Sequence, residues 1–387
     1  MRHRVRVLLA AALIFSAQAA VPAATAEPAR PAAGNPIPGQ YLVTLKTGYN
    51  PQEVLNRLGA TPLFVYATAV IGFAAKLTAL QVNLLRKTPG FESIEQDAEI
   101  DAVSITDSQR ARAVGSWGLD RIDQRDLPLN GAYTASHDGS NVTAYIVDTG
   151  IDFGHGEFGG RARAGYDAIG DGRNGADCNG HGTHVAGTVG GSTYGVAKKV
   201  KLVSVRVLGC DGRGAWSGIV AGFDWVARNA VKPAVINASL GGTPGVNAVD
   251  SASDGASNNG VFTAVAAGND TADACDYSPA RASKPITIGA TTKTDGYAGY
   301  SNRGTCVQLL APGTDITSAW PGGGTNTISG TSMASPHVAG VAALYKQAYG
   351  DRSQAEVNNW LWQNASTGKI GSVPANTPNY LLFSAGL

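Results

Sequence analysis

The chain has 387 residues and a formal net charge of +1, with charged residues making up 15 % of it and apolar residues 43 %. No basic face large enough for nucleic acid is implied, and the apolar share excludes a chain that stays disordered. Glycine is frequent, at 50 residues, which implies many tight turns and close approaches of backbone to backbone or ligand.

Residues 1–26, MRHRVRVLLAAALIFSAQAAVPAATA, open with Arg2, Arg4 and Arg6 and continue through an apolar run from Val7 to Phe15. They end in small residues that offer an A-x-A cleavage site at Ala24, Thr25 and Ala26. This is the layout of a secretory signal peptide, and the apolar run is too short to span a bilayer. No later stretch is long and apolar enough to be transmembrane. A secreted, extracellular protein is expected, with no membrane attachment once the leader is removed.

Residues 27–40 are rich in Pro, Ala and Gly and read as a linker. From Gln40 to Val103 a small unit follows. YLVTLK reads as a strand, PQEVLNRLG as a helix, TPLFVYATAVIGFAAKL as two strands with a turn, TALQVNLLRKT as a helix capped by Thr78, and SIEQDAEIDAV as a last strand. The order β-α-β-β-α-β is the split, ferredoxin-like α+β pattern. Residues 104–116 are polar and read as an exposed connector.

After Trp117 the character changes. Strand-like runs (VTAYIV, KLVSVRV, AVINASL, GVFTAVAA, PITIGA) alternate with helix-like runs (HGTHVAGTVGG, SGIVAGFDWVARNA, SMASPHVAGVAALYKQAY). Such alternation predicts an α/β domain, a predominantly parallel sheet flanked by helices on both faces. The predicted division is a leader at 1–26, a linker and small unit at 27–103, and a main domain at 104–387. Nothing after Tyr380 suggests an added domain. Four cysteines, Cys178, Cys210, Cys275 and Cys306, predict two disulfides in an exported chain without choosing among the three pairings.

Ligands of an open parallel sheet gather at the carboxyl ends of its strands, and three polar motifs fall there. Asp148 ends the apolar strand TAYIVDTG. His181 lies in DCNGHGTHVAG, where glycines lead into a helix, and Ser332 lies in SGTSMASPHVAG, at a second such entry. Taken singly, an Asp at a strand end is commonly a turn residue and a Ser at a helix start an N-cap. Together they form a chemical set. A hydroxyl is a weak nucleophile until a base takes its proton, a neutral imidazole is such a base, and a buried carboxylate fixes the imidazole's tautomer and stabilises its cation. Spacing leaves His184 level with His181 as the base; His155 and His337 read as surface or packing residues.

Two other chemistries compete. A zinc hydrolase could use His181, His184 and Asp148, but a HExxH-type glutamate is missing and the serine motif would be left unexplained. An esterase elbow needs G-x-S-x-G, and Gly330 to Ala334 lacks its final glycine. From another class, a catalytically dead peptide-binding module would share the scaffold.

DTGID at Asp148, NGHGTHVAGT at His181 and GTSMASPHVAG at Ser332 resemble, in order, the three active-site signatures of the subtilisin-like serine proteases. The resemblance runs from about Trp117 to the end of the chain. It implies His181 as the base and a structural place for His184. VAAGND places Asn269 where the family has the side-chain donor of its oxyanion hole, and an amide N–H set in advance meets the charge of a tetrahedral intermediate.

Gly212, Arg213 and Gly214, with Ser239, Leu240 and Gly241, resemble the two segments between which the family binds an extended peptide. Ala266, Ala267 and Gly268 resemble one wall of the pocket for the side chain before the scissile bond. Small apolar walls imply broad specificity with a preference for apolar or aromatic side chains.

WGLDRIDQRDLPL, Trp117 to Leu129, is similar to the aqualysin-like branch of the proteinase K group. That likeness implies the pairings Cys178–Cys210 and Cys275–Cys306, and structural calcium at Asp120, Asp123 and Gln124. It implies no catalytic cofactor and a monomer. Gln308 stands where relatives commonly have an Asp, which puts a second calcium in doubt. The unit at 40–103 resembles the family's inhibitory propeptide, which implies a zymogen that cuts itself near Val103–Ser104 and is blocked by its own propeptide until then.

Overall fold

The structure, a computed structural model, describes residues 34–102, 106–107 and 116–387. The predicted leader, most of the predicted linker, the cleavage point at Val103–Ser104 and nearly all of the 104–116 connector lie outside the described residues.

The small unit has the predicted order: Asn35–Leu45, helix Pro51–Leu58, Pro62–Ala67, Ile71–Lys76, helix Ala79–Arg86 and Phe91–Asp101. Local chemistry fixes both helices. Asn50 caps the first, Pro51 opens it and Gly59 closes it in the left-handed conformation. Thr78 and Gln81 form a capping box on the second. The first strand starts at Asn35, inside the stretch read as a linker. Asn35 and Pro36 pair with Glu99 and Ala98, and past the irregularity that follows the Gln96 side chain donates to the carbonyls of Ile37 and Gln40 at 2.5 and 2.8 Å. Prolines belong at such strand edges and irregularities, so their abundance there was misleading.

The unit's antiparallel sheet buries both faces, following the period of two. Val43, Leu45, Phe73 and Ala75 meet Val54, Leu55 and Leu85 of the unit's own helices. Leu42, Tyr66, Ala74 and Ala98 join the core of the main domain, against Trp216, Phe223, Val249 and Ala252.

The main sheet runs, in spatial order, Ala162–Asp167, Lys201–Arg206, Thr143–Asp148, Ala234–Ala238, Phe262–Ala266, Ile286–Thr291 and Leu309–Pro312, all parallel. Short strands Tyr380–Leu381 and Ser366–Thr367 finish one edge. Helices His181–Gly190 and Thr331–Tyr349 cover one face, and Trp216–Asn229 and Asn247–Asn258 the other. Among the described residues no helix is long and apolar enough to cross a membrane.

The small unit also completes the main domain's helix ends. Helices Trp216–Asn229 and Asn247–Asn258 have no side-chain cap of their own, and open helix N-termini attract carboxylates. Glu95 accepts from Asn247 N and Ala248 N at 3.0 and 2.9 Å, and Asp97 accepts from Ser217 N at 3.2 Å. In return Asp224 accepts from the turn amides of Thr68 and Ala69 at 2.6 and 2.7 Å. Gly255 makes that approach possible, since a Cβ there would sit 1.9 Å from the Ala69 carbonyl oxygen.

Candidate active site

The sheet order reverses at Thr143–Asp148, between Lys201–Arg206 and Ala234–Ala238. Such a switch point opens a crevice at the carboxyl ends of the strands. Asp148 ends this wholly buried strand and Thr149 N donates to its Oδ1 at 2.7 Å.

His181 opens helix His181–Gly190, and its Nδ1 lies 2.7 Å from Asp148 Oδ1, with both side chains fully buried. Burial alone pushes the imidazole's pKa down. The charge and hydrogen bond of Asp148, with the charge of Asp177 behind them, offset this and leave it above 6.5. His181 Nε2 is buried and, among the described residues, has no hydrogen-bond partner. His184 differs: its Nε2 faces the Ile316 carbonyl at 3.0 Å, and burial drives its pKa to about 3.

Ser332 is the second residue of helix Thr331–Tyr349, and its Oγ donates to the Ser239 carbonyl at 3.2 Å. Pro336, four residues on, has no N–H for the Ser332 carbonyl, and that carbonyl accepts instead from Ser239 Oγ at 2.8 Å. Asn237 and Ser335 extend the chain, with Asn237 Nδ2 donating to Ser239 Oγ at 2.9 Å and Ser335 Oγ to Asn237 Oδ1 at 2.8 Å.

Asn269 Oδ1 accepts from Thr331 N at 2.8 Å and Thr331 Oγ1 at 2.9 Å. The Oδ1 end is thereby fixed at the helix entry, and the Nδ2 end of the same amide lies beside Gly330. A Cβ at Gly330 would stand 2.9 Å from Asn269 Nδ2 and 3.6 Å from Ser332 N, so these two nitrogens lie on the same side of Gly330.

The predicted groove segments hold the end of the small unit. Glu99, Ile100 and Asp101 pair antiparallel with Ala215, Gly214 and Arg213, and Ala102 bridges to Leu240. Ala102 N donates to the Gly212 carbonyl at 2.6 Å, and Arg213 Nε to Asp101 Oδ1 at 2.6 Å. The extended backbone thus lies between Gly212–Gly214 and Ser239–Gly241 and runs toward the site. Ala266, Ala267 and Gly268 are buried where strand Phe262–Ala266 ends.

Sequence reasoning missed Asp177, which ties the site's two loops together. It accepts from Thr149 Oγ1 at 3.0 Å, from Asn179 N and Gly180 N at 2.9 and 3.0 Å, and from Thr183 N and Oγ1 at 2.9 and 2.6 Å. An Asp accepting from backbone two and three residues on is legible in D-C-N-G; its contacts with Thr149 and Thr183 are not.

Both disulfides form as the resemblance implies, Cys178–Cys210 and Cys275–Cys306. The first joins the loop before His181 to the loop before Gly212. The zinc alternative fails: the His184 ring is committed to Ile316, and among the described residues no group of three His, Cys, Asp or Glu is placed to hold a metal ion. His155 and His337 are buried packing residues, not surface ones.

Asp120, Asp123 and Gln124 share one turn wrapped by residues 130–134. Asp120 accepts from Asn130 N and Gly131 N at 3.2 and 2.7 Å, and Asp123 Oδ2 from Thr134 N at 2.7 Å. Asp123 Oδ1 is buried and has no partner among the described residues. Burial, then the charge of Asp120, pushes the Asp123 carboxyl up. Two repelling carboxylates, one with an orphaned oxygen, and a nearby amide oxygen fit a hard cation. Gln308 exchanges hydrogen bonds with the backbone of Thr287, giving and accepting at 2.9 and 3.3 Å.

Compared with known proteins, residues 139–386 match the model of the subtilase family and residues 40–102 that of the peptidase inhibitor I9 family. The chain is 52 % identical over 322 residues, 83 % of its length, to the alkaline serine exoprotease A of Vibrio alginolyticus, and spans 60 % of that longer protein. It is 45 % identical over 408 aligned positions to the extracellular serine proteinase of Thermus sp. strain Rt41A, covering 97 % of this chain and 98 % of that one. A crystal structure of a cold-adapted subtilisin-like serine proteinase superposes with a TM-score of 0.69 at 53 % identity, covering 70 % of this chain and 99 % of the other.

Proposed function

For a chain that belongs to the subtilase family of serine proteases, with an I9 propeptide inhibitor domain ahead of its peptidase domain, we propose the following working cycle. The protein is a secreted endopeptidase made as a zymogen: a leader at 1–26, a linker and inhibitory propeptide at 27–103, and a peptidase domain at 104–387. It sheds the leader, folds with the propeptide, cuts itself near Val103–Ser104 and then hydrolyses peptide bonds through an acyl-enzyme.

In this reading the Ser332 hydroxyl swings from the Ser239 carbonyl toward His181, whose Nε2 takes the proton as Oγ attacks the peptide carbonyl carbon. Asp148 holds the imidazole at Nδ1 and stabilises the imidazolium. The oxyanion accepts from Asn269 Nδ2 and Ser332 N. The tetrahedral intermediate collapses, the carbon–nitrogen bond breaks, and the imidazolium passes its proton to the leaving amine. Water, deprotonated by His181, then cleaves the ester and restores Ser332.

The observation that carries the reading is the antiparallel pairing of Glu99–Asp101 with Arg213–Ala215, together with the Ala102–Leu240 bridge. A chain laid as an added strand between two segments is held by its backbone. Such a groove accepts many sequences and leaves choice to the pocket at Ala266, Ala267 and Gly268, whose small walls favour apolar and aromatic side chains. Asp120, Asp123 and Gln124 would hold a calcium ion that rigidifies the turn and takes no part in the reaction. No catalytic cofactor is needed, and the enzyme acts as a monomer on peptide and protein substrates.

Ser332→Ala tests this. The precursor should stay uncleaved at the propeptide boundary, and residual turnover should fall by about 10⁶. Normal maturation of that variant would remove Ser332 from the role.

A further inference from the structure

Asn302 lies in the segment between strands Ile286–Thr291 and Leu309–Pro312, and its side chain is fully buried. Its amide bonds to both sides of Asn269 in the loop that carries it. Nδ2 donates to the Ala267 carbonyl at 2.9 Å, while Oδ1 accepts from Asp270 N at 3.0 Å and Ala272 N at 2.9 Å. Its backbone N–H donates to the Gly268 carbonyl at 2.9 Å. One residue thus holds Ala267 and Gly268 before Asn269, and Asp270 and Ala272 after it.

Asn302 is itself fixed. Its carbonyl accepts from Tyr297 Oη at 2.6 Å and Ser301 Oγ at 3.1 Å. The amide lies so close to the loop that a Cβ at Gly268, where φ is +103°, would meet Asn302 Nδ2 at 2.3 Å. On the other side Thr331 grips the Asn269 side chain and accepts from Gly268 N at 3.1 Å. The Asn269 amide is therefore set from two directions, its side chain by Thr331 and its backbone by Asn302.

We propose that Asn302 is a positioning residue of the oxyanion hole, holding the backbone of residues 267–272 so that Asn269 Nδ2 meets the developing charge without rearrangement. This rests on the reading of Asn269 as the oxyanion donor. Preorganised donors need no reorganisation when charge appears, and displacements near 1 Å cost about 10²-fold in rate. Asn302 also steadies Ala267 and Gly268 of the pocket wall, so a double-mutant cycle is read on an ester with glycine before the scissile bond, which leaves that pocket empty; there the contribution of Asn302 passes through Asn269 and should vanish when Asn269 has none to give.

The test is a double-mutant cycle on the full-length precursor, with matured sites counted by fluorophosphonate titration and acylation followed in single turnover on a peptide ester. Asn269→Ala alone should slow acylation by about 10²-fold or more. Asn302→Ala should slow it by about tenfold or more in the otherwise unaltered enzyme and by less than about twofold beside Asn269→Ala. Asn302→Asp, which keeps the acceptor for Asp270 and Ala272 and loses the donor to Ala267, should fall between, and it serves if the Ala variant fails to mature. Equal losses in both backgrounds, or no loss, would overturn the inference while leaving the Asn269 reading intact. An Asn269→Ala enzyme that acylates normally would remove that reading and the inference with it.

Discussion

His181 draws its basicity from two carboxylates working against burial. Burial lowers its pKa, and the charges of Asp148 and Asp177, with the Asp148 hydrogen bond, raise it above 6.5. A general base must be neutral at Nε2, so kcat/KM should fall away as pH drops through a value above the ordinary histidine range. Asp177→Asn removes one of the two charges that raise the pKa, so this acid limb should move to lower pH. The plateau should also drop, because the Thr149 and Thr183 contacts weaken. A kcat/KM profile against pH checks both, and a limb that stays put or moves up would contradict the account.

At this scale the sequence was uneven. Asp148, His181 and Ser332 stood out because each ends or opens an element within its own motif. His181 and His184 were not separable by spacing; the choice depends on what each ring reaches across the fold, Asp148 for one and Ile316 for the other. Asp177 and Asn302 escaped notice because their decisive partners lie 28 and 35 residues away, at Thr149 and Ala267.

The elements divide by how much of their stability is local. Helices with caps and apolar stripes were legible, as were the apolar strands of the main sheet. Helix Asn247–Asn258 was not: its buried face is mostly Ala, Ser and Gly, and its N-terminus is capped by Glu95 of another unit. Helix Gln354–Asn364 carries a readable capping box at Ser353 and Glu356 that went unused.

The thin face of helix Asn247–Asn258 lets the propeptide turn come close, and this gives a prediction. Gly255→Ala forces a Cβ against the Ala69 carbonyl, a contact that exists only while the propeptide is bound. Maturation from the precursor should slow severalfold and the propeptide should inhibit less tightly. Turnover per titrated site in the mature enzyme should change by less than about twofold, as for a substitution that touches no substrate contact. Processing kinetics and active-site titration together check this; slow turnover with normal processing would contradict it.

Across the whole molecule, two disulfides tie long loops together, and the calcium ion proposed at Asp120, Asp123 and Gln124 would stiffen a third segment. Each disulfide closes a loop, with sequence separations of 32 and 31, and on the chain-entropy model each contributes about 3–4 kcal/mol. Replacing Cys275 and Cys306 by Ser should lower unfolding stability by that order and leave turnover nearly intact, since Cys306 meets the site only through the apolar cluster behind Ala267. Losing Cys178–Cys210 should also reduce turnover, because it links the loops before His181 and Gly212. Chelation of calcium should lower Tm, and Asp123→Asn should abolish that sensitivity. Thermal unfolding with and without chelator measures it, and an unchanged Tm would count against the calcium assignment.

The central claim is that Ser332, activated by His181 and Asp148, is the nucleophile of both self-cleavage and substrate hydrolysis. The most direct measurement is peptide mass mapping of the fluorophosphonate-treated mature protein beside the Ser332→Ala precursor. The account predicts one adduct per mature chain, on Ser332, a mature N-terminus near Ser104, and an uncleaved, unlabelled Ala variant. An adduct on another residue, or cleavage at the propeptide boundary in the Ala variant, would contradict it.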